Sequence, residues 1–129
     1  MEINLDCIRD VLLYISKNQR MDNDFKIEPI SSAVIISQLK TDYNEDEIAY
    51  SIRQLCMQDY LIYNTVHPVL NIYLIRDISP KGHEFIQNTQ EPTVWEKTKS
   101  KLSGFKNISI SIVNSVAVKI LTDFIAQQM

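Results

Sequence analysis

Residues Asn44-Glu-Asp-Glu-Ile-Ala-Tyr-Ser-Ile-Arg-Gln-Leu-Cys-Met57 are followed by Leu61-Ile-Tyr63, by Ile72-Tyr-Leu-Ile75 and by Ser79-Pro-Lys-Gly-His-Glu-Phe-Ile86. Asn44 is a good N-cap with Glu47 three residues on, a capping-box-like start. Ile48, Ile52, Leu55 and Cys56 then fall at i, i+4, i+7 and i+8, one apolar stripe at helical period. The next two runs are short and rich in β-formers. Between them Asn64-Thr-Val-His-Pro-Val-Leu-Asn71 holds Pro68, which is unsuited to a central strand, so the reading is a hairpin with a long tip. Ser79 caps a further helix with Pro80 at its first position, where a missing N–H is harmless. Helix, strand, strand, helix in this order is the second half of a winged helix.

The residues before it supply the first half. Leu5, Ile8, Leu12 and Ile15 repeat at three and four, predicting an amphipathic helix over 4–18. Residues 18–24 read as a polar connection. Phe25-Lys-Ile-Glu28 alternates apolar and polar, the pattern of a short half-buried strand ended by Pro29. Ser31 or Ser32 caps a second helix running to Leu39. The fold class expected is mainly α with a small β-hairpin: a winged helix-turn-helix over 1–90, with a C-terminal helical extension over 91–129.

In that extension, Val94 to Leu102 reads as a helix carrying Trp95 among Lys97, Lys99 and Lys101, and Gly104 breaks it. Ile108 to Ile125 is strongly apolar. Ile112, Val116, Ile120 and Phe124 form one helical stripe, with Val113, Ala117 and Leu121 beside it. So wide a face needs a partner, and self-assembly as a dimer or higher oligomer through these seven residues is the expectation. Ser109, Ser111, Asn114, Ser115, Lys119 and Asp123 interrupt the run, which argues against a membrane span.

The chain has 129 residues, 45% of them hydrophobic, with two Gly and four Pro, which suits one ordered domain with an appendage. Cys7 and Cys56 sit on apolar helix faces without metal-ligand spacing, as reduced core thiols of a cytoplasmic protein do. The first residues lack a basic stretch or small-residue cleavage site, so no signal peptide is expected. The net charge of −3 is unevenly spread: residues 21–60 carry eight acidic and three basic groups, and residues 91–129 three acidic and five basic. A DNA reader normally gathers positive charge on its recognition helix. Here Glu45, Asp46 and Glu47 occupy that helix's first turn, where they suit the helix dipole and repel phosphate.

Several segments together resemble a family of phages and bacterial prophages known as domain of unknown function 2513. They are Leu5-Asp-Cys-Ile-Arg-Asp-Val-Leu12, Tyr43 with Glu47, Ile48 and Tyr50, Ile78-Ser-Pro-Lys-Gly-His-Glu-Phe-Ile86, and Val94-Trp-Glu-Lys-Thr-Lys99. The resemblance spans nearly the whole chain. It implies winged-helix character and a phage or mobile-element setting, and brings no catalytic residue.

No Gly-rich phosphate loop, nucleophile elbow or zinc spacing stands in the sequence, so no enzyme activity, metal or cofactor is expected. His83 with Lys81 and Glu84 is the most enzyme-like cluster, and a helix start explains it better. For double-stranded DNA the candidates are Tyr50, Ser51, Arg53 and Gln54 on the exposed side of the third helix, with Lys40 before it. Arg53 or Gln54 would read base edges, and Lys81 would hold a phosphate. His67 at the wing tip would touch a partner, though a solvated loop residue is the plainer reading. The function expected is a small DNA-binding regulator. The alternative is a non-enzymatic module that binds a host or phage protein through the acidic third helix.

Overall fold

The computed structural model describes residues 1–67 and 72–129, the side chains of Val66 and His67 lying outside the description. Nine elements follow in chain order: α1 (Leu5–Asn18), β1 (Ile30–Ser31), α2 (Ser32–Leu39), α3 (Glu45–Met57), β2 (Leu61–His67), β3 (Ile72–Ile78), α4 (Pro80–Thr89), α5 (Pro92–Leu102) and α6 (Ile110–Gln128). The architecture is α+β, with six helices around a three-stranded antiparallel sheet of order β1-β3-β2 among the described residues.

Local chemistry sets the helix starts. The side chains of Asn4, Ser31, Asn44, Ser79, Glu91 and Ser109 each accept a backbone N–H in the first turn of the helix that follows. The end of α3 is equally well defined. Asp59 takes a left-handed φ of 66°, while the Tyr60 N–H donates to Leu55 O at 2.9 Å and the Asp59 N–H to Cys56 O at 3.3 Å. That is a Schellman close, and it drops Tyr60 into the core beside Leu55.

The strand expected at residues 25–28 is not there. Phe25 has φ 61° and is 83% exposed. The Asp22 carboxylate accepts the N–H groups of Asp24 and Lys26 and turns the chain into a polar loop, closed by an isolated bridge between Met21 and Ile27. The third strand forms beyond Pro29, where Ile30 and Ser31 pair with Ile75 and Leu74. The hairpin strands also run further than their apolar cores suggest: Asn64 and Thr65 pair with Leu74 and Tyr73. Only residues 68–71, outside the description, separate β2 from β3.

The core is built around α1, whose Cys7, Ile8, Val11, Leu12 and Ile15 are buried against α2, α3, α4 and β3. Phe85 from α4, Trp95 and Leu102 from α5, and Ile110 and Val113 from α6 belong to the same cluster. Residues 91–129 thus contribute side chains to the core that 1–90 surrounds. Val113 and Ala117, expected to join chains together, are 1% and 0% exposed and packed within this chain. The reason is geometric: α6 lies against both α4 and α5, and the side chains facing them are covered. By length and composition α6 is also apolar enough to cross a membrane, and 17% of its most apolar stretch is buried within the chain.

Candidate interaction surface around the third helix

Of the charged residues of α1, Asp6, Arg9 and Asp10 are tied down and Lys17 is exposed. Asp6 accepts the Trp95 indole N–H at 2.8 Å and pairs with Lys99 at 3.0 Å. The Arg9 guanidinium donates to the last carbonyls of α4, Thr89 O at 2.9 Å and Gln90 O at 3.2 Å, where a cation also suits the helix dipole. Arg9 and Lys99 both lie over the Trp95 ring, at 5.5 and 5.8 Å from its centroid. Asp10 accepts the Tyr43 hydroxyl at 2.6 Å. Burial pushes the Tyr43 hydroxyl pKa up, and the bond to Asp10 adds to the rise.

Asp6 shows a balance of opposed effects. Burial raises its pKa, but the Trp95 N–H and the Lys99 ammonium stabilise the carboxylate and win, holding it below the ordinary value of 3.8. A depressed carboxylate contributes stability above its unfolded pKa and loses it as pH falls through the folded one. The wild-type melting temperature should therefore fall more steeply than that of Asp6→Asn from about pH 4 to about pH 2. Parallel acid limbs would show that the contact does not couple to folding. The carboxylate is 47% exposed, so the difference between the limbs will be small.

These bonds use the residues that carry the family resemblance to hold α1, α3, α4 and α5 together. What remains outward on α3 is a stripe of Asp46, Ala49, Arg53 and Met57, with half-buried Tyr50 and Gln54 at its edge. Of the acidic first turn, Glu47 is bound on both oxygens, by Asn4 at 2.6 Å and Asn44 at 2.8 Å. Glu45 and Asp46 stay exposed.

Tyr50, Arg53 and Gln54 do come together. Ser51 does not join them: it is 1% exposed, on the inner side of α3, which corrects its assignment to the outer face. Its hydroxyl makes no hydrogen bond of sound geometry, yet it lies close enough to the Cys7 thiol to favour loss of that proton slightly. Burial dominates at both thiols, raising Cys7 to about 11 and Cys56 to about 12. Both are protonated near neutral pH and weak nucleophiles.

Lys40 is exposed at the end of α2. Lys81 is engaged: its ammonium donates to Gln58 O at 3.1 Å and lies 4.7 Å from the Tyr60 ring centroid. His83 is exposed. His67 ends β2, and its side chain is outside the description.

Two hollows flank the α3 stripe. One, of about 230 Å³, is lined by Met1, Asp46, Ala49, Tyr50, Arg53 and Tyr73. The other, of about 220 Å³, lies where Met1 to Ile3 and Asn107 to Ser109 approach Tyr50, Gln54 and Gln58. The N-terminal residues and the α5–α6 connection therefore stand beside the helix. No pattern in the sequence signalled that approach, since it joins segments about a hundred residues apart.

A family model described as "Hypothetical protein (DUF2513)" matches residues 2–109. The chain belongs to that family. The match ends one residue before α6 begins, so the DUF2513 segment includes α1 to α5 and the whole α3 surface. No curated protein and no solved structure matches the chain.

Proposed function

We propose that this DUF2513 chain is a cytoplasmic winged-helix module that binds another protein, of host or phage, through the outward face of α3. Support for the winged-helix reading comes from the order α1-β1-α2-α3-β2-β3-α4 and the sheet order β1-β3-β2. The observation that carries the protein-binding reading is the make-up of the α3 face. It joins acids in the first turn to Tyr50, Arg53 and Met57, with Met1 and Asn107 to Ser109 standing where a recognition helix would enter a groove. A major groove accepts a bare helix rich in cations. An aromatic, Met and Arg patch with a charged rim suits a protein partner instead. The rival reading, a regulator of double-stranded DNA, rests on Arg53 and Lys40, both exposed.

Fluorescence anisotropy with random-sequence duplex DNA at low and moderate salt separates the two. The protein-binding reading expects no salt-sensitive binding below roughly 100 μM, the weak end of non-specific affinity. Micromolar binding that falls steeply with salt and weakens in Arg53→Ala would overturn it in favour of the regulator.

Self-association through α6 remains part of the proposal, on a narrower face. With Val113 and Ala117 covered, Val118, Leu121 and Ile125 form an outer edge at i, i+3 and i+7. Ile112, Val116, Ile120 and Phe124 lie toward the α5 side instead.

A further inference from the structure

A groove runs along the seam of α5 and α6. As α5 runs back from Leu102 to Lys97, α6 runs forward beside it from Ile112 to Phe124. One end of the seam, of about 450 Å³, has Leu102, Phe105, Ile108, Ile112 and Val116 for its apolar lining. The other, of about 310 Å³, has Ile120 and Phe124. Lys101 borders both, and the two hollows follow one another along the same seam. From Ile112 to Phe124 it extends about 18 Å at the helical rise, the length of roughly three turns. Ile112 and Phe105 are 51% and 68% exposed at its mouth.

The α5 edge of the rim is basic. Lys97 and Lys101, four residues apart, line the α5 edge, and Lys106 follows at the connection. None of the three is in a salt bridge among the described residues, where Lys99 alone pairs with carboxylates. Asp123 is the single acid on the lining, at the far end.

We infer that this trough holds an acidic amphipathic helix of a partner protein, with apolar side chains in the seam and carboxylates on Lys97, Lys101 and Lys106. Charge decides between occupants. In a two-fold pair of copies the same patch meets itself, which would bring two lysine rims together. An anionic bilayer would attract the lysines and could meet the exposed Phe105 and Ile112, but Leu102 is buried and Val116, Ile120 and Phe124 are half-buried in the seam, so most of the apolar floor lies in a hollow that a helix fills better than a lipid surface does. A helix laid in a groove satisfies both the concave apolar floor and the basic rim. The trough meets the hollow beside α3 at Asn107 and Ile108, but its lysines and its α6 side chains are not part of the α3 face, so either proposal can fail alone.

The test uses the full chain and a fluorescein-labelled synthetic helical peptide with Leu at i, i+3, i+4 and i+7 and Glu along both flanks. A second peptide carries Lys in place of every Glu. The acidic peptide should bind at least about tenfold more tightly than its basic counterpart and weaken with salt. The triple variant Lys97→Glu, Lys101→Glu, Lys106→Glu should lose at least about tenfold in affinity, and Ile112→Asp should lose it with an unchanged melting temperature. Equal binding of the two peptides, or full affinity in the triple variant, would overturn the inference. So would Ile112→Asp splitting a wild-type oligomer, which would place a second copy in the trough. Sedimentation with phosphatidylglycerol vesicles in the absence of peptide binding would assign the surface to lipid.

Discussion

Gly82→Ala should lower the melting temperature by roughly 10 °C or more. Gly82 is buried in the first turn of α4, where a Cβ would stand 2.3 Å from the carbonyl oxygen of Tyr60 and 2.6 Å from Ile78 Cγ2. The Tyr60 oxygen has no room to move. It accepts the Ser79 N–H at 3.2 Å, and Tyr60 is itself fixed by the Schellman close of α3. The Ser79 hydroxyl binds both sides of the same junction, donating to Asp59 O at 2.6 Å and accepting the Gly82 N–H at 3.1 Å. One methyl group therefore pries α4 from the end of α3, at a cost of about 3 kcal/mol, the upper range for overpacking a tight site. Gly104→Ala is the control: nothing lies within 4 Å of its added Cβ, and its φ is not positive. That variant should be neutral or stabilised by up to about 1 kcal/mol through the unfolded chain. Thermal melts followed by circular dichroism read both. A Gly82→Ala melt within a few degrees of wild type would mean that the α3–α4 junction yields easily.

How much of this was written in the sequence depends on the range over which each signal acts. Caps and stripes are local, and Asn44, Ser79 and the Ile48–Ile52–Leu55 face stand where the periodicity puts them. Ser51 was readable too. It occupies the i+3 slot between Ile48 and Ile52, inside the apolar stripe, and only its polarity suggested an outward position. Phe25 misled by alternation, because the Asp22 carboxylate offers the loop a better set of bonds than a strand ladder would.

The contacts that join distant segments had no local signal. Nothing near Arg9 announces the carbonyls of Thr89 and Gln90, and nothing near Met1 announces Asn107. In α6, the sequence told that the apolar face needs covering and not which part the chain covers itself. Ala117 and Val113 are the small side chains at the contact with α4 and α5, and small side chains let helices come close. The candidate surface shares this limit: residue types on α3 were legible, and the segments beside them were not.

Trp95→Ala should cost about 3–5 kcal/mol, the range for truncating a large buried aromatic. The indole is 3% exposed and meets Phe85 edge-on at 6.4 Å between centroids. Its removal opens a cavity in the cluster shared by α1, α4 and α5, and leaves Arg9 and Lys99 without the ring beneath them. Trp95→Phe separates packing from polarity. It keeps most of the aromatic contact and removes the N–H to Asp6, which retains Lys99, so a loss of about 1–2 kcal/mol is expected. Urea unfolding followed by circular dichroism suits the comparison, since Trp95 is the single tryptophan and its fluorescence vanishes in both variants. The shape of the curve carries as much as its midpoint. If α5 and α6 fold as one cooperative unit with α1 to α4, Trp95→Ala shifts the whole transition without splitting it. A second early step, with the signal of residues 1–90 melting at the wild-type midpoint, would mean that the C-terminal helices detach separately. In that event Val113 and Ala117 would be uncovered, and the full seven-residue apolar face of α6 would again be open to a second chain.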